Sequence, residues 1–130
     1  MNGELFMKHD NIVQEKSYAF ALRMVKLYQH LSEQKKEFVL SKQVLRSGTS
    51  IGANVEEAIG GQSERDFSAK MSIAYKEARE THYWLRLLRD SGYLGVNESA
   101  SIITDCEELL KLTGSIIKTM KSKRITNSKL

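Results

Sequence analysis

The sequence predicts an all-α protein, an up-down-up-down antiparallel four-helix bundle. Three observations support this fold class: hydrophobic residues recur every three or four positions in four long stretches, proline is absent, and short polar or glycine-containing turns separate the stretches. The chain has 130 residues, 41% hydrophobic and 28% charged, which suits one core. We therefore predict a single domain over residues 1–130, with flexible ends at 1–9 and 122–130.

The first two helices follow from the spacing of their apolar residues. Between Asp10 and Leu31, a regular series lies on one helical face. The series consists of Val13, Ser17, Phe20, Met24, Leu27 and Leu31. The second helix is expected to start near Glu37 and to end at Gly60 and Gly61, with Phe38 as the first residue of its apolar seam.

The last two helices have candidate caps at their starts. Ser63 can cap the third helix, whose apolar series runs from Phe67 to Leu88. Asn97 is the candidate cap of the fourth helix, which continues to Met120. Helices of about 22 to 29 residues correspond to rods of about 33 to 43 Å. Rods of matched length joined by short turns predict antiparallel packing.

The first helix and one flank of the fourth offer more apolar surface than a single bundle core needs. The flank of the fourth helix consists of Ile102, Leu109, Leu112 and Ile116. This excess predicts self-association into a closed homo-oligomer.

Cysteine content and the N-terminal residues predict the cellular compartment. Cys106 is the sole cysteine, so the chain forms no internal disulfide, which fits a reducing compartment. The N-terminus lacks a basic start followed by an apolar run, and no stretch approaches the roughly 18 apolar residues of a membrane span. We expect a soluble cytoplasmic protein that does not contact a membrane.

Two glycines, Gly48 and Gly52, lie one turn apart inside the second helix. Each costs about 1 kcal/mol relative to alanine in a helix interior, so another interaction must offset that cost. Small residues four positions apart allow a second helix to approach closely, and close helix packing is the favoured interpretation. A ligand that approaches the backbone is the alternative.

Polar residues also form a line along the second helix and another along the third. The lines are Ser47, Ser50, Asn54 and Glu57, and Glu77, Glu80 and Trp84. If the lines face each other, their polar groups form a structural network, with Lys70 or Arg79 offsetting the carboxylates. The predicted members of this network are Asn54, Glu57, Glu77 and Glu80.

Enzyme sites find little support in the sequence. Four-helix bundles hold carboxylate-bridged metal centres with two Glu-x-x-His motifs, and this chain has none. Cys106 falls on an apolar seam, which is typical of a buried structural cysteine. Neither a GxxxxGK[ST] loop nor a GxGxxG turn is present. We expect a protein that is not an enzyme and that binds no metal or cofactor.

Basic residues concentrate at the C-terminal end. Residues 111–130 carry a charge of +6 with no acid, which leaves −2 for residues 1–110. The candidate nucleic-acid-binding residues are Lys118, Lys121, Lys123, Arg124 and Lys129. Such a segment can bind RNA, DNA or an acidic protein surface, and a terminus that is merely solvated is the alternative.

The order of motifs closely resembles one family. The segment from Gln43 to Leu88 contains LRSGTSIGANVEEA, QSERDFSAKMSIA and KEARETHYWLRLL in succession. This arrangement resembles the bacterial four-helix-bundle family of 23S rRNA intervening sequence proteins. The combination of the first and last motifs is more specific than either motif alone.

The resemblance implies a function that the residue patterns alone do not predict. It implies self-association into a homo-oligomer, most simply a pentamer, and a link to RNA or DNA. A related branch serves as the accessory protein of diversity-generating reverse transcriptases. The expected function is a homo-oligomeric, RNA-binding adaptor without enzymatic activity. A protein-interaction scaffold that does not bind nucleic acid is the alternative.

Overall fold

The computed structural model describes residues 8–128, with side chains from 12 to 126, and these residues form four helices and no strand. The helices are α1 (Lys8–Glu33), α2 (Leu40–Ile59), α3 (Glu64–Asp90) and α4 (Val96–Ser128). Turns of six, four and five residues connect them. Six residues span at most about 20 Å, less than the length of a helix, so successive helices are antiparallel. The predicted fold class is confirmed.

Each helix packs against two neighbours, so that α1 and α3 both contact α2 and α4 and lie diagonally across the bundle. The whole series predicted for α1, from Val13 to Leu31, is buried. The largest fully buried side chains come from all the helices. They include Phe20, Met24, Ile51, Phe67, Leu85 and Leu109. Burial of these apolar surfaces provides the main driving force for folding.

The start of α2 differs from the prediction. The helix begins at Leu40, and the carboxylate of Glu37 lies outside it and accepts hydrogen bonds from Ser41 N at 2.7 Å and Val39 N at 3.2 Å. Glu37 therefore satisfies free amides of the first turn, although it is not a helical residue. Phe38, predicted as a seam residue, precedes the helix and is 53% exposed.

The boundaries of α3 agree with its sequence signals. Ser63 is the N-cap, and its hydroxyl accepts a hydrogen bond from Asp66 N at 3.0 Å. At the other end, Gly92 has a φ of 87°, a conformation that glycine adopts without strain. The predicted start of α4 is wrong by two residues, because a cap at Asn97 would make Glu98 the first helical residue, whereas the helix begins at Val96 and Asn97 lies in its first turn.

The fourth helix is longer than predicted, with 33 residues. Met120 is its last core residue, and every side chain from 121 to 126 is exposed. We call residues 121–128 the C-terminal extension. The part of the expected flexible end that the structure describes, 122–128, is thus helical. Most of the expected N-terminal flexible segment, 1–9, lies outside the described residues.

Within residues 8–128, no helix combines the length and the apolar composition that crossing a membrane requires.

Candidate nucleic-acid interface

The predicted basic residues lie on the last turns of α4. Lys118, Lys121, Lys123 and Arg124 are all exposed, and none pairs with a carboxylate among the described side chains. At 100° per residue, three of the four lie on one side of the helix and Lys123 lies on another. Lys129 is outside the described residues. Cations near a helix C-terminus are also stabilised by the helix dipole.

This arrangement can bind phosphate groups by charge, because the cations are free and lie on a helix that leaves the core. Lysine ammonium groups act as point charges with no fixed hydrogen-bond geometry, whereas the Arg124 guanidinium can bind a phosphate with two parallel hydrogen bonds. A surface of this kind attracts the backbone of any nucleic acid and does not read bases.

The predicted polar network divides into separate groups. Glu77 and Glu80 lie together because Arg46 of α2 pairs with both, at 3.3 Å from Glu77 and in closer contact with Glu80. The indole N–H of Trp84 donates to Glu80 at 2.9 Å. Arg46 was not a predicted member, since its partners depend on how α2 and α3 are rotated relative to each other.

The α2 members of the predicted network do not join this group. Asn54 donates to the carbonyl of Ser50, one turn earlier in its own helix, at 2.8 Å. Glu57 lies 3.7 Å from Lys70, which was one of the two cations expected to offset the charge. Exposed ion pairs of this kind contribute about 0 to 1 kcal/mol. The carboxylates are therefore surface ion-pair residues and do not form a buried layer.

The two predicted packing glycines lie in the interface of α1 and α2. A Cβ atom at Gly52 would lie 3.2 Å from the carbonyl oxygen of Ser17, and one at Gly48 would lie 2.6 Å from Met24 Sδ. Gly52 faces backbone, which cannot move without separating the helices. Gly48 faces a flexible side chain that is itself buried.

Buried hydroxyls link the helices where the sequence predicted only a polar line. Ser47 Oγ and Thr81 Oγ1 lie 2.9 Å apart in a buried hydrogen bond between α2 and α3. The Thr81 hydroxyl donates to the carbonyl of Glu77 at 2.7 Å, so Ser47 is the donor to Thr81. Both oxygens are satisfied, and this avoids the cost of an unpaired buried hydroxyl.

Of the groups considered for catalysis, the thiol of Cys106 lies in the core. Cys106 is buried, and burial, followed by the nearby charges of Glu107 and Asp105, raises its pKa to about 12. A thiol with such a pKa is a poor nucleophile at neutral pH. His82 lies 3.2 Å from Glu107. In the part of the chain that the structure describes, no three residues among His, Cys, Asp and Glu are grouped closely enough to hold a metal.

Exposed apolar side chains share one side of the helix on both α1 and α3. On α1, Tyr18, Leu22 and Val25 are 63%, 51% and 41% exposed and lie on one side of the helix; we call them the α1 stripe. On α3, three exposed apolar side chains also lie on one side of the helix, two of them four residues apart and the third ten residues earlier, and we call them the α3 stripe. They are Ile73, Tyr83 and Leu87. The two stripes lie on helices that are diagonal in the bundle.

The apolar surface predicted on α4 is absent. Ile102, Leu109 and Ile116 are buried, and Leu112 packs against the core, so this flank faces the interior. The prediction was wrong because α4 contributes a wider face to the bundle than a narrow heptad seam.

The sequence model of the family described as 23S rRNA-intervening sequence protein matches residues 9–115. The chain is also similar to the crystal structure of a protein with unknown function from the S23 ribosomal protein family of Bacteroides thetaiotaomicron, with 54% identity and a TM-score of 0.83. The similarity covers 85% of this chain and 98% of the other. No curated protein matches the chain.

Proposed function

Because the chain belongs to the 23S rRNA-intervening sequence protein family, we propose that it is a homo-oligomeric adaptor without enzymatic activity that associates with RNA or DNA. The observation that carries this proposal is the basic end of α4. Lys118, Lys121, Lys123 and Arg124 are exposed and unpaired, and three of them lie beyond the last core residue, Met120. The side chains from 121 to 126 are all exposed, so this part of α4 is accessible to a long polyanion.

Binding of this kind depends on phosphate and is independent of base sequence. Each phosphate contact releases condensed counterions, so the affinity falls as salt concentration rises. Residues 1–110 carry a net charge of −2, which concentrates the positive potential at the C-terminal end. In an oligomer, each subunit contributes its own basic C-terminal end, and this strengthens the positive electrostatic potential around the assembly.

The two apolar stripes support self-association. A ring of identical subunits needs two different surfaces on each subunit, because each contact joins one surface to the other. The α1 stripe and the α3 stripe lie on diagonal helices and supply two such surfaces. A twofold dimer would need only one. A closed ring, for which we propose five subunits, buries both.

The first test measures binding of the full-length oligomer to several RNAs and DNAs of unrelated sequence at two salt concentrations, by fluorescence anisotropy. We expect similar affinities across sequences and a steep loss of affinity at the higher salt concentration. A variant with glutamine at all four basic positions should bind more weakly and show a smaller salt slope. The positions are Lys118, Lys121, Lys123 and Arg124.

A matched control removes the same charges elsewhere on the surface. It replaces three lysines and one arginine, all exposed, with glutamine. They are Lys35, Lys42, Lys76 and Arg79. The proposal is contradicted if the wild-type oligomer binds no nucleic acid at low salt, or if both variants bind equally.

The alternative function is a protein-interaction scaffold. The observation that favours it is an aromatic pair on α3, where the ring of the exposed Tyr83 meets that of the partly buried Trp84 edge to face, with centroids 5.1 Å apart. Aromatic side chains of this kind are enriched at protein interfaces. If Tyr83→Ala dissociates the oligomer, the aromatic pair belongs to the self-association surface. If the Tyr83→Ala oligomer stays intact and the wild-type oligomer binds no nucleic acid, the scaffold function is favoured.

A further inference from the structure

A cleft of about 410 Å³ lies between the first turn of α3 and the end of α4. Glu64, Arg65, Ser68, Met120 and Arg124 line it. The first turn of a helix carries the positive end of the helix dipole, which favours an anion beside it. This alone does not define a site, but two further features of the same residues do.

The first feature is a pair of free guanidinium groups. Arg65 and Arg124 make no ion pair or side-chain hydrogen bond with any other side chain between residues 12 and 126. Arg23, Arg46 and Arg89 each pair with a carboxylate, and Arg79 is unpaired among the described side chains but does not line this cleft. Guanidinium groups match the geometry of phosphate oxygens and can bind them with two parallel hydrogen bonds.

The second feature is an unsatisfied buried hydroxyl. Ser68 is 8% exposed, and its Oγ has no hydrogen-bond partner among the described residues. The other buried hydroxyls all have partners; these residues are Ser17, Ser41, Ser47, Thr81, Ser99 and Thr113. A buried unpaired hydroxyl is destabilising, and a ligand in the cleft would provide the missing partner once a side chain that covers this oxygen moves aside.

We propose that the cleft of Arg65, Ser68 and Arg124 binds a phosphate group, as inorganic phosphate or as the terminal phosphate of a nucleic-acid strand. The terminal source rests on the proposed function, whereas binding of inorganic phosphate does not. Glu64 also lines the cleft, so the side chains of the cleft together carry a net charge of +1. A phosphate is therefore held by the two arginines and kept away from that carboxylate.

The test titrates inorganic phosphate into the full chain, with chloride at matched ionic strength as the reference, and follows heat and thermal stability. Arg65→Gln and Arg124→Gln should each weaken phosphate binding about tenfold. Arg79→Gln is the matched control, since it removes an unpaired, exposed arginine elsewhere on α3 and should leave the affinity within about twofold. Glu64→Gln should strengthen binding, because it removes the opposing charge.

Ser68→Ala separates a binding role from a structural role. Without phosphate, this variant should be at least as stable as wild type, because it loses an unsatisfied hydroxyl. With phosphate, it should show a smaller rise in Tm than wild type, because the ligand loses a partner. A fall in stability without phosphate together with an unchanged phosphate effect would assign Ser68 to packing and contradict its role in the cleft.

Two forms of one oligoribonucleotide, with a 5′-phosphate and with a 5′-hydroxyl, distinguish the sources. A preference for the phosphorylated form that Arg65→Gln removes would assign the cleft to strand ends. Equal binding of both forms, with inorganic phosphate still bound, would assign it to free phosphate.

The two proposals fail in different ways. The cleft proposal is overturned if inorganic phosphate does not bind, even if the oligonucleotides do. The nucleic-acid proposal is overturned if neither oligonucleotide binds, even if inorganic phosphate does.

Discussion

At the scale of single residues, the glycines illustrate how environment decides the effect of one residue type. Gly52 of α2 faces the backbone of Ser17, whereas a Cβ at Gly114 of α4 would meet nothing within 4 Å. Both glycines lower helix propensity, but only Gly52 receives a close helix contact in return. From the sequence alone, glycine is expected to lower helix stability by the same amount at both positions.

We expect Gly52→Leu to lower the free energy of unfolding by about 1 to 3 kcal/mol, because overpacking against fixed backbone outweighs the gain in helix propensity. Urea unfolding at a fixed protein concentration measures this change.

Gly114→Ala is the control for Gly52→Leu. It should raise the free energy of unfolding by about 0.5 to 1 kcal/mol, because only propensity changes. Equal effects of the two substitutions would show that Gly52 is not closely packed.

Residue types and spacing predicted some of the candidate site. They placed the four described cations on the fourth helix and the two glycines in a helix interface, because both features depend on local sequence. They did not predict that Arg46 would hold Glu77 and Glu80, or that Arg65 and Ser68 would share a cleft with Arg124. Those groupings depend on the rotation and the offset of neighbouring helices, which periodicity does not fix.

At the scale of helices, the start of α2 depends on one carboxylate. Burial alone would raise the pKa of Glu37, but hydrogen bonds from the backbone amides of Leu40, Ser41 and Val39 lower it more, so the pKa lies below its ordinary value. The cap residue itself, Val39, makes no side-chain hydrogen bond to the helix. Sequence-based capping rules expect a polar residue at the N-cap position itself. They therefore do not predict a capping role for Glu37, which lies two residues before the N-cap.

We expect Glu37→Gln to lower the free energy of unfolding by about 1 kcal/mol at neutral pH. Since folding lowers the pKa of Glu37, its contribution is fully present above the unfolded pKa, near 4.5, and is lost as pH falls through the lower folded pKa. The difference between wild type and variant should therefore shrink in acid. Urea unfolding over a range of pH measures it.

Glu15→Gln is the matched control for Glu37→Gln, since Glu15 is exposed on α1 and has no partner among the described side chains. It should change stability little at any pH. A Glu37→Gln effect that persists undiminished in strong acid would show that the charge of Glu37 does not cap α2.

At the scale of the whole molecule, the fold was predictable because four periodic stretches of similar length have few ways to pack. The exposed apolar surface was not predicted correctly. The sequence suggested the Leu109 and Ile116 flank of α4, which is buried, while the α3 stripe went unnoticed. Deciding which apolar residues remain exposed requires knowing how wide a face each helix contributes to the core.

We expect the wild-type protein to form an oligomer of about 74 kDa, five copies of 14.8 kDa, in light scattering at micromolar concentration. Leu22→Glu should dissociate it, because burial of an unpaired carboxylate in an apolar contact is costly.

Val96→Glu is the control for Leu22→Glu, since Val96 is exposed at the first residue of α4, where an acid suits the helix dipole. It should leave the mass unchanged. A wild-type monomer, or an unchanged mass for Leu22→Glu, would contradict self-association through the α1 stripe.

The C-terminal extension also affects how this protein can change over evolutionary time. No described side chain after Met120 belongs to the core, so most substitutions from 121 to 126 carry little folding penalty. Substitutions can therefore change the number or the sign of the charges in these turns while the protein still folds. Selection on the extension then acts through the ligand that we propose for it, and descendants with one scaffold can acquire different partners.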